Sequence, residues 1–171
     1  MKSALPKIFI SLLFFALSFN RVNAQSDSAF ASQRALLFAD SLIKSFQSGN
    51  FNQYLSISYP GVIKYYGGKH QFTEYIQQAR AIESAPGDEQ IEIFQILNNK
   101  NEWQCVVKKK NETVIDGKHA VVVSYLVGQS KDEGNTWKYV DVAYNPVNNV
   151  VQIMPDVFEK IAVPQRQIIF Q

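Results

Sequence analysis

Few residues in this chain have the type and setting that chemistry needs, and Asp141 comes first among them. A general base must be held where it can reach a substrate proton. Asp141 falls inside an apolar strand expected over Trp137–Tyr144, on the same face as Trp137, Tyr139 and Ala143. If that face lines a cavity, desolvation makes the carboxylate a stronger base, suited to proton abstraction. The plainer expectation is that it points outward or pairs with a lysine at the sheet margin. His119 is the second candidate base: it opens a strand directly after a turn, near a rim where histidines are usually just solvated. His70 follows Gly67-Gly68-Lys69 at a helix start, where free backbone N–H groups could hold an anion, although such starts commonly cap themselves. Cys105, the single cysteine, alternates with Trp103 and Val107 in WQCVV and reads as a small hydrophobe on a strand face. Nothing beside it in sequence would activate a thiolate. Two distant histidines, one cysteine and no carboxylate cluster of ligand spacing point to no metal and no cofactor. The G-x-S-x-G nucleophile motif is absent from the sequence.

The aromatic content weighs more than any one acid. Eight tyrosines and Trp137 bring apolar bodies with polar tips, suited to a semi-polar pocket or an interface, with core packing as the commoner role for each. Tyr65 and Tyr66, beside a double glycine, are placed at a cavity mouth; Tyr125, Trp137 and Tyr139 complete the candidate ligand-binding set.

The elements that must position these residues are organised around Tyr59–Ile82. A helical turn after Pro60 breaks at Gly67-Gly68, and Phe72, Tyr75, Ile76 and Ala79 then recur as one apolar helical face. At least one of the two glycines is expected at positive φ. Upstream, Ala35, Ala39, Leu42 and Phe46 mark a helix over Ser26–Phe46, with N-caps offered by Ser26, Asp27 and Ser28. Gly49 suits its C-terminus, and Asn50 can cap a second short helix through Phe51, Tyr54 and Leu55. The helix after the glycines is expected to stop at Ser84-Ala85-Pro86-Gly87, and beyond it the period becomes two. Strands are expected at Gln90–Leu97, Glu102–Lys108, Thr113–Asp116, His119–Val127, Trp137–Tyr144 and Val150–Met154, with turns at Asn98–Asn101, Asp116-Gly117-Lys118, Gly128–Asn135 and Asn145–Asn149. Lys108-Lys109-Lys110 reads as a solvated loop, and Pro155–Ile161 as a closing helical turn or two. Short turns between neighbours imply an antiparallel sheet, hence an α+β domain with N-terminal helices over one face. His119–Val127 is apolar on both faces, so a homodimer through the sheet, or the C-terminal tail folding back, is needed to cover the second.

At the N-terminus, Lys2 and Lys7 precede an apolar run, Ile8–Phe19, and then Val22-Asn23-Ala24. This reads as a secretory signal over residues 1–24, leaving a single domain over 25–171 that is exported, periplasmic or secreted. The run falls short of the about 20 residues a span needs, so no stable membrane span is expected after cleavage. Cleavage removes three basic residues and no acid, so the formal +2 becomes about −1, and the basic balance gives no reason to expect nucleic acid.

The order of elements resembles the nuclear transport factor two-like (cystatin-like, cone-shaped α+β) superfamily, and within it a group of small exported bacterial proteins of uncharacterised function. The residues carrying the likeness are Tyr59-Pro60, Gly67-Gly68-Lys69, Asp116-Gly117-Lys118, the hairpin Ser130–Tyr139, Ile153-Met154-Pro155 and Ile161–Pro164. They are turn and packing motifs, so they bear on fold and hardly on chemistry. The resemblance implies helices packed in the concave face of a curved, mainly antiparallel sheet, leaving a conical cavity. Enzymes of that superfamily, such as ketosteroid isomerases and polyketide cyclases, carry an acid or base on the cavity wall; many other members only bind. The expectation is therefore a non-catalytic domain that binds a small molecule or a partner protein in its cone. The alternative is a cofactor-independent isomerase, dehydratase or hydrolase using Asp141 or His119, and a filled cone in a purely structural dimer is the third.

Overall fold

The computed structural model describes residues 5–82, 89–99, 102–145, 147–158 and 161–171, with side chains from residue 27. Its N-terminal helices pack against a curved antiparallel sheet of five strands, the α+β arrangement expected. Helix α1 runs Leu5–Ser48, so Ser26, Asp27 and Ser28 lie within it and do not start it. Ala31, Ala35, Ala39, Leu42 and Phe46 form its buried stripe, and the small alanines let the helix approach the sheet closely. Gly49, at φ +73°, ends it in a Schellman turn: Asn50 N–H reaches Ser45 O (2.8 Å) and Gly49 N–H reaches Phe46 O (3.1 Å). Asn50 then caps α2 (Phe51–Ile57) by accepting from Gln53 N–H at 3.2 Å.

Pro60 opens α3 (Pro60–Tyr65), and Gly67 and Gly68 at φ +87° and +118° let the chain reverse into α4 (Lys69–Ile82). Phe72 and Ile76 are the buried residues of α4, which is tied back to α1 where the Arg80 guanidinium donates to Gln47 O at 2.9 Å. The expected stop at Ser84–Gly87 lies outside the described residues.

Strand β1 (Gln90–Asn99) pairs with β2 (Glu102–Ile115), β2 with β3 (Lys118–Ser130) and β3 with β4 (Lys138–Asp141), all antiparallel. Asn98 and Asn99 belong to β1; Lys100 and Asn101, the rest of the expected turn, lie outside the described residues. Asp116 and Gly117, both at positive φ, make the tight β2–β3 turn as a two-residue type I′ hairpin.

Four expectations are corrected here. The two strands expected at Glu102–Lys108 and Thr113–Asp116 are one strand of 14 residues, and Lys108-Lys109-Lys110 lies in its middle, not in a loop. Long-range pairing explains this, since each of the three lysines is matched with a residue of both β1 and β3. The strand expected at Trp137–Tyr144 is confined to Lys138–Asp141, because residues 142–144 turn away. Val150–Met154 is not a strand: helix α5 spans Val147–Ile153, followed by α6 (Pro155–Phe158). Val150, Ile153, Met154, Val157 and Ile161 are all buried at helical spacing, and burial of that stripe overrides the β propensity of the valines. The tail, which the sequence left open to fold back, forms β5 (Gln167–Phe170), which pairs with β3 at Ala120–Val123, beside the stretch of β3 that β4 occupies.

Alternation places Trp103, Cys105, Val107 and Lys109 of β2 on the face that meets α1, because Tyr139 on that face donates to Ala35 O at 2.7 Å and touches Cys105 Sγ at 3.8 Å. On the opposite face Val106, Val121, Val123, Tyr125, Val127 and Val140 are also buried within the single chain. The apolar residues of β3 are thus buried on both faces, while Phe94, Val114 and Ile169 stay exposed.

Candidate functional site

One cavity of about 330 Å³ opens between the end of α4 and the helix-side face of the sheet. Ala79 and Ile82 of α4 form one wall; Lys109, Asn111, Thr113 and Ile115 of β2 and Val122 and Ser124 of β3 form the other. Glu89, Ala143, Tyr144 and Arg166 close the ends. The period-two alternation of β2 aims four consecutive same-face residues, from Lys109 to Ile115, into one space.

Lys109 sits at the head of this row with its side chain 6% exposed, and its Nζ donates to Asp141 Oδ2 at 2.7 Å. Glu89 Oε2 lies 4.0 Å from the same ammonium, and the Tyr144 ring centroid lies 5.8 Å away. Asp141 is 4% exposed in its side chain, and its other oxygen accepts from Ala143 N–H at 2.8 Å. Asn145 folds over the same residue, donating from Nδ2 and from its backbone N–H to the Asp141 carbonyl (2.9 and 3.0 Å). The Tyr75 hydroxyl donates to the Tyr144 carbonyl and so joins α4 to this turn. The result is a buried ammonium–carboxylate pair whose ammonium lines a cavity together with the Glu89 carboxylate, the Thr113, Ser124 and Tyr144 hydroxyls, the Asn111 amide and the Arg166 guanidinium.

Asp141 therefore faces the helix side of the sheet but does not itself line the cavity, and it is paired with a lysine, as the plainer expectation has it. That lysine is in the middle of the sheet and not at its margin. His119 is exposed at the start of β3 and does not line this cavity. His70 is exposed on α4, 3.5 Å from Glu74 one turn along.

The five aromatic residues expected to bind ligand lie elsewhere. Tyr65 is 45% exposed, and Tyr66 stacks on Tyr75 with ring centroids 4.4 Å apart. Tyr125 is on the opposite sheet face, edge-to-face with Phe94. Trp137 and Tyr139 are core residues; Trp137 Nε1 donates to Gly134 O at 3.0 Å. Burial, with Cys105 beside it, raises the Tyr139 phenol well above its ordinary range. Burial likewise pushes the Cys105 thiol up to about 12, which leaves it inert. The aromatic residue that does reach the cavity is Tyr144. Sequence reasoning missed Lys109, Glu89, Ser124 and Arg166 as site residues, and no local pattern singles out Lys109 within its run of three lysines.

Among the described residues no group of three or more histidines, cysteines or acids could hold a metal ion, and no helix is long and apolar enough to cross a membrane. Compared with family models, curated proteins and solved structures, the chain matches none.

Proposed function

We propose that this chain is an exported domain of the nuclear transport factor two-like type that binds a small ligand in the cavity beside Lys109, without catalysis. The observation that carries the reading is the cavity itself: about 330 Å³, lined by apolar and polar groups together, at the low end of the range for small-molecule sites. Both oxygens of Asp141 are engaged, Oδ2 by Lys109 and Oδ1 by the Ala143 N–H, so it would have to abandon a buried ion pair to take a substrate proton. His119, the other candidate base, stands outside the cavity. The leader-like pattern of residues 1–24 supports export.

Native mass spectrometry on protein from the exporting cell tests this, with Asn111→Trp as a variant that fills the cavity from a half-buried position on β2. A co-purifying small molecule present on the natural protein and lost from the variant is the expected result. No bound molecule, together with no thermal shift from a small-molecule library, would sink the reading. Catalytic consumption of a library compound, abolished by Asp141→Asn in a folded variant, would replace it with the enzymatic alternative.

A further inference from the structure

Strand register places three side chains in a row across the cavity. Lys109 of β2 is paired with Ser124 of β3, and the pairing of β5 begins at Gln167 opposite Val123. Arg166, one residue earlier, therefore falls beside Ser124 on the cavity side, and all three residues line the cavity. With neighbouring strands about 4.8 Å apart, the two cations flank the hydroxyl from the strands on either side.

The two cations are not equivalent. Asp141 and Glu89 both lie against Lys109, at 2.7 and 4.0 Å. Arg166 has no carboxylate partner among the described residues. A single unmatched guanidinium is the complement of a monoanion, and its planar fork matches a carboxylate in bidentate fashion. The Ser124 hydroxyl beside it can donate as well. Away from this row an apolar path runs beside Asn111 and Thr113. Val122, Ile115 and Ile82 line the cavity, and β5 adds Ile168 and Phe170 on the same face, opposite Val122 and Ala120 and both exposed.

We propose that the ligand is a small amphipathic monocarboxylate. Its head sits on Arg166 and Ser124, because the charge of Lys109 is already matched by Asp141 and Glu89. Its alkyl or aryl body runs along Val122, Ile115 and Ile82 toward β5. This assignment rests on the cavity being a binding site.

The experiment titrates the purified protein with octanoate, 1-octanol and octylamine, following amide shifts by NMR, and repeats it with Arg166→Gln, Arg166→Lys and Ser124→Ala. Arg166 is exposed, so its variants are expected to fold. Octanoate should shift residues of β2, β3 and β5 around the cavity and bind more tightly than the other two probes. Arg166→Gln should weaken octanoate about tenfold, the size of one charge-assisted hydrogen-bonded contact, and leave 1-octanol unchanged. Arg166→Lys should recover part of the loss, and Ser124→Ala should weaken octanoate by less than Arg166→Gln does. Octanoate binding no tighter than 1-octanol, or octylamine binding tighter, overturns the carboxylate assignment while leaving a binding cavity. Absence of all three from the cavity overturns the assignment and the cavity reading together.

Discussion

Replacing Lys109 with methionine removes the cation that two carboxylates share inside the sheet. At an effective dielectric of about 20, unit charges 2.7 Å apart attract by about 6 kcal/mol, and at 4.0 Å by about 4 kcal/mol. Desolvation of each ion offsets several kcal/mol of this, which is why breaking a buried pair typically costs about 3–5 kcal/mol rather than the full Coulomb sum. Lys109→Met belongs at the upper end, about 4–5 kcal/mol, because Asp141 and Glu89 both lose their neighbour. Asp141→Asn belongs at the lower end, about 3 kcal/mol: Glu89 stays near Lys109, and asparagine retains an oxygen for the Ala143 N–H. The double variant removes the close pair together, leaving Glu89 without its lysine neighbour, and should cost about 2 kcal/mol, a coupling of several kcal/mol. Urea unfolding at pH 7 reads all three. With m near 2 kcal/mol/M, Lys109→Met should lower the midpoint by about 2 M. A cost below about 1 kcal/mol for Lys109→Met, or a double variant as unstable as the sum of the singles, would refute the pair as an energetic unit.

Three further predictions concern the core. A Cβ at Gly128 would press into the Tyr139 ring and come within 2.8 Å of Cys105 Sγ, so Gly128→Ala should cost about 1–3 kcal/mol in the same urea assay; a change under about 0.5 kcal/mol would show that the Tyr139 packing is loose. Cys105 and Tyr139 both have folded-state values raised by burial, so the folded protein holds protons that the unfolded chain has released. Their joint contribution to stability should therefore be constant below about pH 9 and fall as pH rises from about 9 toward 12, by up to about 1.4 kcal/mol per pH unit for each group. Native Cys105 should also resist a thiol reagent at pH 8 and react fully in urea; rapid labelling of the folded protein would contradict its burial.

How much of this was legible beforehand follows the range of the interactions. The Schellman turn at Gly49, the Asn50 cap, the glycine break before α4 and the Asp116-Gly117 hairpin depend on residues within a few positions of one another, and each was readable as a local pattern. Helix α5 was readable too, since Val150, Ile153, Met154 and Val157 keep helical spacing, but the β-branched residues drew the strand reading instead. Strand β5 had no such signal: four residues define neither period, and its partner on β3 lies more than forty residues back.

The candidate site divides along the same line. Residue order alone determined that Asp141 shares a strand face with Tyr139 and that Cys105 packs as a hydrophobe, because alternation is a property of the single strand. Only tertiary structure decided that Lys109 is buried, that Asp141 faces it, and that Arg166 stands beside Ser124. A run of three lysines is hydrophilic by itself, and burying one is tolerable only when a carboxylate 32 residues away is brought within 2.7 Å. That partner exists only once β2, β3 and β4 are in register.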